Sequence, residues 1–184
     1  MDAAQGGNLK TPGVETQYFA SLHYNRTMIA TEIIFLNLEE IRRRSIKLWA
    51  GIPAKFYSWQ PDQNAMTIIE MVRHVFESEY AYHKIVENRG SEGLEYSSPW
   101  ENRPYTNVAD EIAFAMPYRQ AFLEMVGSFL EDDLDEIEII REELGQRRKL
   151  GDFLLRIAYH EAVHTGQMLS YLRTLGVERP KVWD

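Results

Sequence analysis

The sequence predicts an all-α protein folded as a four-helix bundle. Long segments carry apolar residues at the three-and-four spacing of an α-helix, no segment shows a convincing strand pattern, and glycine and proline separate the helical segments. The 184 residues suit one compact domain with a sizeable core. We expect residues 1–14, which are small, polar and rich in Gly and Pro, to form a flexible tail, and residues 15–184 to form the domain.

The charge balance argues against a nucleic-acid-binding protein, and the lack of cysteine excludes any chemistry that needs a cysteine side chain of this chain. The chain carries 20 basic and 28 acidic residues, so it lacks the positive footprint of a nucleic-acid-binding protein. With no cysteine there is no disulfide, thiolate ligand or cysteine nucleophile, which fits a reducing cytosol. The first residues do not resemble a signal peptide, and no apolar stretch approaches a membrane span. We therefore expect a cytoplasmic protein without nucleic-acid or membrane partners.

The first predicted helix covers about residues 15–49. It carries two adjacent apolar stripes, so it should pack against more than one neighbour. The stripes are Leu22, Ile29, Ile33 and Leu36, and Ala30, Ile34, Ile41 and Leu48. The helix should end before Gly51-Ile52-Pro53, because glycine favours a helix C-cap and proline cannot continue the helix.

The second predicted helix starts near residues 64–67 and runs to about residue 88. Its apolar stripe has a spacing of three and four: Met71, His74, Ser78, Ala81 and Ile85. Residues 89–106 contain two glycines and two prolines among serines and asparagines, which predicts a long loop.

A third helix is predicted over about residues 107–131. Pro117 lies inside it and should kink it or split off its first turns, because proline lacks an N–H and its ring clashes with the preceding turn. We expect a short helix over residues 134–144, despite the isoleucines in that segment.

The last predicted helix runs from about residue 150 to residue 174 and ends at Leu175-Gly176. It contains His160 and His164, which lie on one helix face because residues four apart are about one turn apart. The same face carries the apolar side chains of Phe153, Ile157, Tyr171 and Leu175, so we expect the pair to point into the core. Two neighbouring imidazoles can bind one metal ion.

His74 lies on the core-facing stripe of the second helix. Three neutral imidazoles from two helices, His74, His160 and His164, form the ligand set that holds Zn²⁺, Ni²⁺ or Fe²⁺ and leaves a coordination position open for water or substrate. His83 falls on the opposite helix face, and nothing beyond its place on the first helix marks His23. The alternative is that the three histidines are hydrogen-bonded core residues.

His160 to His164 also reads as H-E-x-x-H, the signature of zinc proteases. We disfavour that interpretation, because Gly166 is misplaced for the extended signature and no strand pattern precedes the helix. Glu161 either reaches a ligand or a bound water, as a catalytic carboxylate would, or is a solvated surface residue. Gln167, in phase with the pair, either donates to a ligand or substrate or is a buried glutamine bonded to a neighbouring helix.

The chain resembles the DinB / YfiT-like metalloenzymes. The resemblance rests on the segment from His160 to Gln167, on Tyr171-Leu172-Arg173-Thr174-Leu175-Gly176, and on His74 after the Trp59-Gln60-Pro61 loop, and it covers roughly residues 18–180. It implies a four-helix bundle, commonly a homodimer, with a divalent metal held by His74, His160 and His164. Characterised relatives include S-transferases that use bacillithiol or related thiols and a mycothiol-dependent maleylpyruvate isomerase.

The leading hypothesis is therefore a metal-dependent enzyme that transfers a small, bacillithiol-like thiol to an electrophilic substrate through a metal-bound thiolate. Zn²⁺ or Ni²⁺ is the expected cofactor, with Fe²⁺ as a further option. Two alternatives stay open: a metal-dependent hydrolase of a small amide or ester, and a non-catalytic, dimeric metal-binding stress protein. Histidine ligation predicts that metal affinity falls below a pH of roughly 6.5.

Overall fold

The computed structural model describes residues 27–183, and these are mostly helical. Four long helices account for more than half of these described residues: α1 Ala30–Ala50, α2 Ile68–Glu87, α3 Val108–Ser128 and α5 Leu150–Thr174. Between α3 and α5 lie a single helical turn, α4 Asp133–Glu136, and a hairpin of two strands, β1 Glu138–Arg141 and β2 Gln146–Lys149. No helix within residues 27–183 combines the length and the apolar character that crossing a bilayer requires.

The start of the first helix differs from the prediction. Residues 27–29 are not helical and α1 begins at Ala30, so the predicted helix over residues 15–49 is not continuous. Its first residues, the predicted tail 1–14 and His23 lie outside the described residues. The predicted end is confirmed, because α1 stops at Ala50, directly before Gly51.

Local signals set the ends of α2 and α3. Thr67 caps α2 through a reciprocal pair, in which its hydroxyl accepts from the Glu70 N–H and its own N–H donates to the Glu70 carboxylate at 2.7 Å. The Asn107 side chain caps α3 by accepting from the Asp110 N–H at 2.9 Å. Pro117 lies within α3 and does not split it into two elements.

Helices α1 and α5 lie side by side and parallel. Arg42 of α1 contacts Glu161 of α5, and one turn further along both helices Ser45 contacts Thr165. The residue numbers at these contacts increase in the same direction along both helices, so α1 and α5 are parallel.

Helices α2 and α3 are also parallel to each other, and they run opposite to α1 and α5. Arg73 of α2 pairs with Glu111 of α3, and further along Glu79 pairs with Arg119. Helix α1 packs against α5 and α3, and α2 packs against the same two helices, so α1 and α2 are diagonal neighbours. The chain from α2 to α3 must therefore return along the length of the molecule, which explains the predicted loop at 89–106.

That crossover loop is anchored by an aromatic side chain. Trp100 is buried, with ring centroids of Phe114 and Tyr118 on α3 each 5.3 Å from its own. Burial of one large aromatic ring holds the loop against the helices.

The all-α prediction is wrong between residues 134 and 144. The α-helix there is limited to α4. Strand β1 pairs antiparallel with β2, and the two are joined by a short 3₁₀-helix, Glu142–Leu144, followed by Gly145 with a φ of 59°. β-Branched residues favour strands, and Ile139 in β1 is fully buried. Tertiary burial of this isoleucine outweighs the helical pattern of the segment.

The core has two apolar clusters, one at each end of the helices. One cluster contains Trp49 and Phe76, and the other contains Leu38 and Phe122. Arginine and glutamate side chains also lie in the interior. One group takes one residue from each long helix, and a separate pair joins α2 to α3: Arg42, Glu79, Arg119 and Glu161, and Arg73 with Glu111.

Candidate metal centre

The three predicted histidines meet at one point between α2 and α5. The Nε2 atom of His160 lies 3.2 Å from Nε2 of His74 and 3.1 Å from Nε2 of His164. One ring nitrogen from each of the three lies within 4.8 Å of the other two. Helix α2 supplies one histidine and α5 supplies two, so the packing of these helices forms the cluster.

Hydrogen bonding satisfies this cluster poorly, because the two contacts of His160 Nε2 have to share at most one proton. Nε2 of a neutral imidazole carries either one hydrogen or one lone pair, so it pairs with one partner. His160 Nε2 has two nitrogen neighbours at hydrogen-bond distance, and one of these contacts has no proton to mediate it. A cation between the nitrogens removes the conflict, because each lone pair then points at the same charge.

The spacing also matches that of a metal site. Around a tetrahedral ion with metal–nitrogen bonds of about 2.0–2.1 Å, ligand nitrogens lie about 3.3–3.4 Å apart. The two Nε2 separations at His160 are within a few tenths of an ångström of this value. The residues therefore fit a divalent metal, and three nitrogen donors leave at least one coordination position free.

The protonation state of the three side chains suits ligation. Burial, followed by the neighbouring His164 and His74, lowers the pKa of His160 to about 4. Burial also lowers the pKa of His74 and of His164, and His164 adds to the effect on His74. All three imidazoles are thus neutral at pH 7, as a metal ligand must be.

The site is less buried than expected. His74, His160 and His164 are each partly exposed. The prediction that His160 and His164 point into the core is therefore only partly correct, because neither side chain is fully buried. Aromatic residues flank the histidines on the same face of α5: Phe153 lies two turns before His160, and Tyr171 two turns after His164. The three histidines are therefore partly accessible to solvent, and the ring of Tyr82 packs against His160 with centroids 5.7 Å apart.

Gln167 contacts one of the three histidines directly. Its Oε1 lies 2.7 Å from Nδ1 of His164, a geometry in which the ring donates its Nδ1–H. That hydrogen bond keeps the proton on Nδ1 and leaves the Nε2 lone pair for a metal. The alternative of a buried glutamine bonded to a neighbouring helix is wrong, because Gln167 is exposed and its partner belongs to α5.

Glu161 points away from solvent and is held by an arginine. Its carboxylate is only 4% exposed and accepts from Arg42 Nε at 2.8 Å and Nη2 at 2.9 Å. Burial alone would raise the pKa of Glu161, but the charge and hydrogen bonds of Arg42 outweigh it and lower the pKa. The alternative that Glu161 is a solvated surface residue is wrong.

The remaining histidine on α2 lies elsewhere. His83 is buried, its ring centroid is 5.9 Å from that of Phe122, and its Nε2 is 3.2 Å from Glu87. It is not part of the three-histidine cluster.

The sequence analysis missed the buried charges behind the site, Arg42, Glu79 and Arg119. Arg42 falls between Leu38 and Ser45 on the buried face of α1, at the helical spacing of four and three. In the sequence, a charged residue at a position that helical spacing assigns to a buried face indicates a buried ion pair, and Arg42 is such a residue.

Comparisons with known proteins agree with the fold. The family model of the DinB superfamily matches residues 37–168, which is most of the chain. The uncharacterized protein YjoA of Bacillus subtilis (strain 168) is 25% identical over 121 residues, 65% of this chain and 74% of that protein.

Two crystal structures share the architecture. The DinB-like protein YjoA of Bacillus subtilis superimposes with a TM-score of 0.60 at 23% identity, over 82% of this chain and 96% of that one. A DinB-like protein of Bacillus cereus ATCC 10987 also gives 0.60, at 17% identity, over 81% and 95% of the two chains. On the strength of the family match, this chain belongs to the DinB superfamily.

Proposed function

We propose that this protein is a metal-dependent enzyme that transfers a small thiol to an electrophilic substrate. His74, His160 and His164 would hold the divalent ion, with Zn²⁺ or Ni²⁺ favoured by nitrogen ligands and Fe²⁺ as a further option. The observation that supports the proposal is the approach of three Nε2 atoms to one point.

If His74, His160 and His164 held a divalent ion, that ion would lower the pKa of a coordinating thiol and so supply a nucleophilic thiolate near neutral pH. The chain contains no cysteine, so the sulfur comes from a cosubstrate. The partly exposed histidines allow a small molecule to reach the open side of the site.

The surrounding residues have distinct roles in this proposal. Gln167 fixes the tautomer of His164, and the low pKa values keep all three ligands neutral. Both carboxylate oxygens of Glu161 accept from Arg42, so we assign Glu161 a positioning role and leave proton removal to solvent at the exposed side.

The test is a thiol panel on metal-loaded protein. Bacillithiol, glutathione and coenzyme A would each be assayed with one model electrophile, beside a chelated sample and the variants His74→Ala and His83→Ala. We expect turnover with at least one thiol, lost in the chelated sample and in His74→Ala but kept in His83→Ala. Rates equal to those of the chelated sample with every thiol would overturn the thiol-transfer proposal.

The exposure of the site also suits water as the attacking group, which favours a hydrolase of small amides or esters as the second candidate. The two candidates differ in their thiol requirement. Metal-dependent hydrolysis of an ester substrate without added thiol would favour the hydrolase.

A further inference from the structure

We infer that Arg42, on a helix that carries none of the three histidines, is a positioning residue for the proposed metal site, on which this inference rests. Its guanidinium joins α2 to α5 on the core side of the histidines. The distance between the two ligand-bearing helices therefore depends on a residue of α1.

One guanidinium contacts both of these helices. Arg42 Nη2 lies 2.9 Å from Glu161 Oε2 on α5 and 3.2 Å from Glu79 Oε2 on α2, and Nε lies 2.8 Å from Glu161 Oε1. Glu161 follows His160 directly, and Glu79 lies five residues after His74. Each anchoring carboxylate is thus within two turns of a proposed ligand on the same rigid helix.

The contacts of Arg42 are shielded from water. Arg42 and Glu79 are each 5% exposed, and Arg119 and Glu161 are each 4% exposed. Arg119 completes the network by pairing with Glu79 and with the partly exposed Glu39, and by donating to the Leu38 carbonyl at 2.7 Å. Removing Arg42 would leave two buried carboxylates facing one arginine, and the helices would have to shift or admit water.

A second buried contact joins α1 to α5, one turn further along both helices. The Ser45 and Thr165 hydroxyls lie 2.9 Å apart and are buried, and Thr165 follows His164 directly. In a helix, consecutive side chains point about 100° apart. Holding residues 161 and 165 towards α1 therefore leaves His160 and His164 directed towards α2.

Metal affinity depends strongly on the positions of the ligand atoms. Ligand distances have to fall within about 0.2 Å of their ideal values. A shift of α5 against α2 by even half an ångström changes the separation of His74 and His160 by a comparable amount. Residues that support the ligands typically change metal affinity by about 10–100-fold when mutated.

The experiment measures metal binding rather than turnover. Full-length wild type, Arg42→Lys and Arg42→Met would be titrated with Co²⁺, whose visible absorption reports coordination geometry, and with Zn²⁺ in competition. Val126→Ala, in the apolar cluster that contains Leu38, is the control for loss of stability alone.

We expect Arg42→Met to weaken Co²⁺ and Zn²⁺ binding by about 10–100-fold and to alter the Co²⁺ spectrum. Arg42→Lys should recover part of the affinity, because it keeps the charge but loses the two-pronged contact. Val126→Ala should unfold at a lower temperature with wild-type affinity and spectrum, because no part of it touches the ligands.

Wild-type affinity and spectrum in Arg42→Lys and Arg42→Met would overturn the inference. If Arg42→Met does not fold, metal affinity and the Co²⁺ spectrum of Arg42→Lys test the role of Arg42. The same two measurements on Ser45→Ala test the second contact between α1 and α5. A wild type that binds no Co²⁺ would overturn the proposed metal site itself, and this inference with it.

Discussion

Nε2 of His160 lies 3.2 Å from Nε2 of His74, although 86 residues separate the two in the chain. The antiparallel packing of α2 and α5 produces this approach, so the unfolded chain has no such site. Metal that binds only the folded state stabilises it by mass action.

The first prediction is that metal raises thermal stability. At a free metal concentration about 100 times Kd, the free energy of unfolding should rise by about 2.7 kcal/mol. Circular dichroism melts of chelated and Zn²⁺-loaded protein measure the shift in Tm. His74→Ala serves as the control and should show no metal-dependent shift; an equal shift in this variant would place the metal elsewhere.

The second prediction concerns stoichiometry. Wild type should retain one divalent ion per chain after gel filtration, while His74→Ala and His164→Ala should lose most of it, because two imidazoles bind far more weakly than three. His83→Ala, which alters another buried histidine of α2, should retain the ion. Elemental analysis of the four proteins measures this, and loss in His83→Ala would contradict the assignment of the ligands.

The third prediction is the dependence of metal binding on pH. Protons compete with metal only below the pKa of a ligand, and burial lowers the pKa of all three histidines, that of His160 to about 4. Affinity should therefore fall at a lower pH than the usual histidine pKa of about 6.5. This moves the expectation from the sequence, a fall below pH 6.5, downwards. Binding should be lost by the pH of about 4 at which His160 itself takes up a proton. Zn²⁺ titrations across this range measure it; a midpoint at pH 6.5 would mean that the ligands are not shielded.

The lowered pKa values of the three histidines also determine how the stability of the metal-free protein depends on pH. Between about pH 6.5 and pH 4 the unfolded chain binds more protons at these histidines than the folded chain does, so stability falls as the pH is lowered. Urea unfolding of the chelated protein checks the sign. Replacing His160 with glutamine should flatten the slope, since the histidine with the largest shift is gone.

The helices and the meeting of the three histidines were predictable because both depend on local periodicity. His160 and His164 are four apart on an apolar face, and His74 lies on the apolar stripe of α2, so helix geometry alone selects them. The hairpin was not predictable, because β1 forms through long-range burial of Ile139. The environment of Glu161 depends on Arg42, 119 residues away, and no local pattern reveals a contact at that separation.

The fourth prediction tests the hydrogen bond to His164. Gln167→Leu should weaken Zn²⁺ binding by about 10-fold or more, because the His164 proton is then free to occupy Nε2, the atom that must bind the metal. Gln167→Glu should keep the affinity, since a carboxylate accepts the same hydrogen bond. Gln120→Leu removes another exposed glutamine, on α3, and is the control.

The fifth prediction concerns a second buried ion pair, between α2 and α3. Arg73 Nε donates to Glu111 Oε2 at 3.0 Å, both side chains are buried, and Arg73 also donates to the carbonyls of Arg103 and Pro104 in the crossover loop. Arg73→Met should lower the free energy of unfolding by about 3–5 kcal/mol, because it leaves Glu111 charged and unpaired in the core.

Adding Glu111→Leu to Arg73→Met should restore part of that loss, since the double variant buries no unpaired charge. Urea denaturation monitored by circular dichroism measures both variants. Lys84→Met, which breaks an exposed pair with Glu87 on the same helix, is the control and should cost under about 1 kcal/mol. An Arg73→Met variant no less stable than this control would mean that the buried pair contributes nothing to the fold.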